Sequence, residues 1–146
     1  MPFTVSEIAE RIAKPRRSKA ALNERIRHWT RERLLSPIGK RNPGTGRHRS
    51  YHDTAVLDAA LLNELADMGL QISPMRKALA AAQQLHSEWG KAKAKEGKRF
   101  FLSIYFPTDI PPYLHFGDGN PLETDFEALI VFDLTRLFAR LKPEGE

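Results

Sequence analysis

The residues best suited to chemistry in this 146-residue chain are its cations, and they are unevenly placed. Residues 1–53 hold 13 Lys and Arg against 5 Asp and Glu. Residues 54–96 hold 5 against 5, and residues 97–146 hold 5 against 8. The net charge of +5 therefore arises wholly in the first third. Cations concentrated in this way suit a polyanion, because each phosphate they neutralise releases condensed counterions. A charge run taken alone is also what a solvated surface looks like, but the acidic last third argues against a molecule that is basic throughout. Arg27 and Arg31, beside His28, carry guanidinium groups that can clamp phosphate or contact guanine in bidentate fashion.

Other chemistries find less support. The chain has no cysteine, which excludes disulfides, thiolate catalysis and Cys-based zinc sites. His48 and His52 stand four apart, but in a loop they do not hold helical geometry and no carboxylate constellation accompanies them, so no metal is expected. Asp109, His115, Asp118 and Asp125 lie in proline- and glycine-rich connections, where acids normally serve turns and caps. No nucleophile–base pairing accompanies them, and the chain reads as a protein that is not an enzyme and needs no cofactor. No apolar run approaches the roughly 18 residues of a membrane span. The start, MPFTVSEIAE, lacks a basic stretch followed by an apolar run, so no secretory signal is expected.

The cations must be positioned by short elements. Thr4-Val5-Ser6-Glu7 spells a capping box, with Ile8, Ala9 and Ile12 inward on the helix that follows. Lys14-Pro15-Arg16-Arg17 breaks it. A second helix is expected over Ser18–Arg33, with Leu22, Ile26 and Trp29 on one face and Glu24, Arg27, His28 and Arg31 on the other. Two helices joined by a short basic break fit a helix-turn-helix. The stretch from Gly39 to Ser50 is too polar for a core and reads as an exposed hairpin loop. Asp53 caps a third helix over about Thr54–Met68, with Val56, Leu57, Ala60, Leu61 and Leu65 inward and Gly69 at its end. Ser73-Pro74 opens a fourth, expected to reach about Lys95.

Beyond Gly97 the pattern changes to strands. Arg99–Phe106 alternates, with Phe100, Leu102, Ile104 and Phe106 on one face and Phe101, Ser103 and Tyr105 on the other. Tyr113–Phe116 and Phe126–Leu134 read as further strands, and Thr135–Lys142 as a last helix. The fold class expected is mainly α with a small α+β C-terminal part. Its divisions fall at 1–73, 74–97 and 98–146: a DNA-binding domain, a linking helix and a β-rich segment.

The first 80 or so residues resemble the DNA-binding domain of the MerR family of transcription regulators. The resemblance rests on FTVSEIAERIA, on Ile26-Arg27-His28-Trp29 followed by Arg33-Leu34-Leu35-Ser36-Pro37, and on Gly46-Arg47-His48-Arg49-Ser50-Tyr51. An acid-capped helix from Asp53 to Gly69 and the segment Leu70-Gln71-Ile72-Ser73-Pro74-Met75 follow in the family's order. Two departures stand out. The segment between Ala13 and Ile26 is longer than the family's turn, and position 33 is arginine where the family usually has glycine.

The resemblance implies a winged helix-turn-helix that binds double-stranded DNA. The helix at about Ser18–Arg33 would enter the major groove, and the wing, Gly39–Tyr51, would lie on the backbone. The implied DNA-binding set is Arg16, Arg17, Lys19, Asn23, Arg27, His28, Arg31, Lys40, Arg41, Arg47, His48, Arg49 and Tyr51. Arg27 would touch phosphate, unless it is held by Glu24 or Glu32. Arg47, Arg49 and the Tyr51 hydroxyl would do so from the wing. Trp29 is read as core. A sequence-specific regulator in a bacterial cytoplasm, at the nucleoid, is the leading function. An architectural or phage excisionase-like DNA-binding protein is the alternative.

Met75, Leu79, Ala82, His86 and Trp89 alternate spacings of four and three, as in a coiled-coil seam. This stripe is expected either to join two copies in a homodimer or to pack on its own C-terminal strands. The aromatic load of those strands permits an effector pocket without indicating one.

Overall fold

The computed structural model describes residues 2–40, 44, 46–87, 92, 95–106, 113–118 and 128–141. The chain divides into two compact units, Met1–Met75 and Arg76–Glu146. The described residues are about half helical, with small antiparallel sheets and a terminal helix, as the sequence implies.

The first unit begins with β1 (Phe3–Thr4) and α1 (Val5–Ile12). The capping box forms: the Thr4 hydroxyl accepts from the Glu7 amide, and the Glu7 carboxylate accepts from the Thr4 amide at 2.7 Å. These hydrogen bonds, first the one from the Thr4 amide, hold the Glu7 carboxyl below its ordinary value. Ile8, Ala9 and Ile12 are buried. Ala13 is the C-cap and leaves helical geometry, two residues before Pro15, which cannot continue the helix. Lys14–Arg17 then makes a turn closed by the Arg17 amide on the Lys14 carbonyl, 3.1 Å.

Helix α2 (Lys19–Arg31) has Ser18 as its cap and buries Leu22, Ile26, Trp29 and Thr30, while Glu24, Arg27, His28 and Arg31 stay exposed. It is two residues shorter at its C-terminus than expected. The Leu34 amide bonds the Trp29 carbonyl at 2.8 Å and the Arg33 amide bonds the Thr30 carbonyl at 3.2 Å. That pair of bonds is a Schellman stop, and it places Arg33 in the left-handed region at φ +61°.

Helix α3 (Thr54–Asp67) stops in the same way, through Gly69 to Ala66 and Leu70 to Leu65, but with glycine at φ +81°. The two helices thus solve one geometry with different residues. A side chain in this region costs about 1 kcal/mol relative to glycine. Arg33→Gly is expected to stabilise the protein by about that amount and to raise its melting temperature by roughly 4 °C. An unchanged or lower melting temperature in calorimetry would mean that contacts of the Arg33 side chain outweigh the backbone strain.

Between α2 and α3 the chain returns as β2 (Ser50–Tyr51), antiparallel to β1 with Phe3 opposite Tyr51 and Thr4 opposite Ser50. The sequence did not signal this two-residue pairing. Ile38 bridges Ser50 at the base of the wing. Helix α1 packs against both α2 and α3, and on α3 Val56, Ala60, Leu61 and Leu65 are buried as expected while Leu57 is only half-buried.

Helix α4 (Ile72–Ala82) begins one residue before Ser73 and is much shorter than expected. From Gln83 to His86 it tightens into a 3-10 turn. Ser87 then adopts an extended backbone, and its hydroxyl donates to the Gln84 carbonyl at 2.5 Å, competing with helix continuation. The expected seam is therefore not carried on one helix. Met75, Leu79 and Ala82 are buried within the single chain. Trp89 lies outside the described residues.

In the second unit β3 (Phe101–Phe106) is central, flanked antiparallel by β4 (Tyr113–Gly117) and β5 (Ala128–Asp133). Its central position explains why Ser103 and Tyr105 are buried as fully as Leu102 and Ile104. Tyr105 stacks on Tyr113 at 5.0 Å. Asp133 caps α5 (Leu134–Ala139) by accepting from the Arg136 amide at 3.0 Å, and this helix packs on β3 and β5. It starts one residue earlier than the expected Thr135–Lys142 helix and ends three residues sooner. The proposed acids Asp109 and Asp125 lie outside the described residues, His115 is exposed, and Asp118 pairs with Lys98 at 3.2 Å.

Candidate nucleic-acid interface

Within the first unit, the start of α1, one face of α2 and the wing enclose a cleft of about 870 Å³. Thr4, Val5, Ser6, Asn23, Arg27, Arg31, Gly44, Arg47, His48 and Arg49 line it. Residues 23, 27 and 31 reach it together because a spacing of four keeps them on one side of a helix. Their helix is fixed by the opposite, apolar face, where Leu22 and Ile26 are fully buried.

The electrostatics favour an anion. Four arginines line the cleft, and among the described residues no carboxylate-bearing one does. The first-turn amides at Val5 and Ser6 have no partners inside their own helix, and the positive end of the helix dipole lies there. Arg31 and Arg47 make no ion pair among the described residues. Arg27 is paired with Glu24 three residues before it, the alternative weighed from the sequence. Both side chains are largely exposed, so the pair is worth about 0–1 kcal/mol and a phosphate can displace it. The Asn23 Oδ1 is buried with no hydrogen-bond partner among the described residues, in contrast to most buried polar atoms.

Of the residues singled out from sequence, the cleft brings together Asn23, Arg27, Arg31, Arg47, His48 and Arg49. His28 and Lys40 are exposed elsewhere, and Arg41 lies outside the described residues. Arg16 is exposed in the turn before α2. Arg17 is bonded to Asp67 at 2.6 Å, and Lys19 to Glu10. The sequence reading missed Thr4, Val5, Ser6 and Gly44. The capping box was the available signal for the first three, but it was taken as a helix start and not as a wall of donors.

Tyr51 corrects the expected set. Its side chain is fully buried, and its hydroxyl lies 2.8 Å from the Thr30 Oγ1. Thr30 already donates its single hydroxyl proton to the Ile26 carbonyl at 2.8 Å. Tyr51 must therefore be the donor to Thr30, which leaves no proton for a phosphate. The residue ties the wing strand to the back of α2 instead of reaching outward.

Residues 22–82 match the family model described as MerR HTH family regulatory protein. No curated protein matches the chain. Among the described residues no helix is long and apolar enough to cross a membrane, and no group of three or more His, Cys, Asp or Glu could hold a metal ion. Over those residues the two-helix unit with its wing is thus similar to a MerR-type helix-turn-helix of the regulatory family that the model describes.

Proposed function

We infer that the protein is a sequence-specific regulator that sets α2 in the major groove of double-stranded DNA and lays the wing on the adjacent backbone. The cleft supports this reading most directly: four arginines from two separate elements line it, and none of its described lining residues bears a carboxylate. Phosphate contacts from Arg27, Arg31, Arg47 and Arg49 fix register and orientation, while sequence is read from the exposed face of α2, by His28 among others. Selection from random duplex DNA followed by footprinting tests the reading. One protected pseudo-palindromic site is expected; uniform weak protection with marked bending favours the architectural alternative.

A two-fold dimer accompanies this reading, because it places two copies of α2 on one DNA face with half-sites about one helical turn apart. With Met75, Leu79 and Ala82 already covered in one chain, the contact is expected outside that stripe. Sedimentation at micromolar concentration should give a dimer for both the unsubstituted protein and a folded Leu79→Glu variant. A monomeric unsubstituted protein refutes the dimer.

A further inference from the structure

The longer connection between α1 and α2 carries three cations in four residues, yet the structure treats them differently. Lys14 is paired with Glu64 and Arg17 with Asp67. Glu64 and Asp67 are one turn apart on the same side of α3, and Lys14 and Arg17 are the two ends of the hydrogen-bonded turn. The acids therefore grip the turn at both ends. Pro15 stiffens the span between them, and Arg16 is left exposed at its tip.

The same carboxylate also holds α2. Arg25 bonds the Asp67 Oδ1 at 2.7 Å and the Oδ1 of buried Asn63 at 2.6 Å. Partial burial pushes the Asp67 carboxyl up, but its hydrogen bonds and charge interactions with Arg25 and Arg17 outweigh this and hold it below its ordinary value. One acid thus sets the turn and α2 relative to α3. Exposed ion pairs add little stability; what three shared contacts supply here is geometry.

We propose that Glu64 and Asp67 are positioning residues which present Arg16 to the DNA backbone as a phosphate contact outside the cleft, at the entry to α2. The proposal rests on the reading of α2 as a DNA-binding helix. It makes a prediction opposite in sign to simple electrostatics. Asp67→Asn removes a negative charge, so charge alone predicts tighter binding to DNA. Positioning predicts weaker binding.

Binding to a duplex of random sequence, followed by fluorescence anisotropy across a salt series, separates the two. Arg16→Ala should weaken binding about tenfold and lower the salt slope by about one. Asp67→Asn should weaken it by about fivefold. In the double variant the two losses should fall well short of additive, since both act on one contact. Thermal melting identifies any variant that has unfolded; Asp67→Glu, which keeps the charge, should then recover most of the affinity in a folded protein. Tighter binding by Asp67→Asn, additive losses, or an unchanged slope for Arg16→Ala overturns the proposal. If these variants bind normally while changes in the cleft abolish binding, only this inference fails. If the unsubstituted protein does not bind DNA, the reading of α2 fails with it.

Discussion

Replacing Arg47 and Arg49 together by alanine should reduce affinity for every DNA sequence by a similar factor, on the order of 50-fold at 0.1 M salt. Both side chains line the cleft from the wing, across from Arg27 and Arg31 on α2. Each phosphate contact contributes about 0.9 to the slope of log affinity against log salt, so the slope should fall by up to about two. The factor should be uniform because phosphates carry no sequence information. The wing can lose these side chains without unfolding, since Arg47 is exposed and Arg49 only half-buried. Arg27→Ala serves as the internal comparison. It sits on α2 and is held by Glu24 in the free protein, so its loss should cost less affinity than the double wing variant and lower the salt slope by about one. If the double wing variant loses affinity for one sequence alone, at constant salt slope, the wing reads bases.

Tyr51→Ala should come close to unfolding the first unit. The ring is fully buried between the wing strand and α2, and truncating a buried aromatic costs about 3–5 kcal/mol. Domain stabilities are typically about 5–15 kcal/mol in total. Tyr51→Phe separates the hydroxyl from the ring. It keeps the packing and removes one donor, at a cost of about 1 kcal/mol. Thr30 keeps its own bond to the Ile26 carbonyl, so no buried donor is stranded. Chemical denaturation measures both losses. The DNA salt slope of Tyr51→Phe should match that of the unsubstituted protein. A slope lower by about one would mean that the hydroxyl leaves Thr30 and reaches a phosphate when DNA binds.

The helical half of the first unit was legible because its signals are local. Thr4 and Glu7 cap α1 three residues apart, and Pro15 ends what Ile12 leaves. Leu22, Ile26 and Trp29 recur at the helical period and are buried as that period requires. Asp53 opens α3 through its side-chain carboxylate and Gly69 closes it through its left-handed backbone. The sequence also determined which residues could meet a phosphate, since charge and side-chain type belong to each residue alone.

Only the tertiary structure decided which of those residues are available. Arg16 and Arg17 are neighbours of identical type, yet Arg17 is drawn to Asp67, fifty positions away, and Arg16 is not. Tyr51 follows the wing cations in sequence but turns inward, because β2 pairs with β1 and brings its hydroxyl to Thr30. The pairing of Phe3 with Tyr51 spans most of the unit and has no local mark that a two-residue strand could carry. Helical periodicity from Met75 to Trp89 predicted one continuous seam, but a 3-10 turn and the Ser87 hydroxyl interrupt it after Ala82. Periodicity and caps depend on neighbours along the chain and can be read from it. Ion pairing, burial and the convergence of the cleft depend on neighbours in space, which only the folded chain supplies.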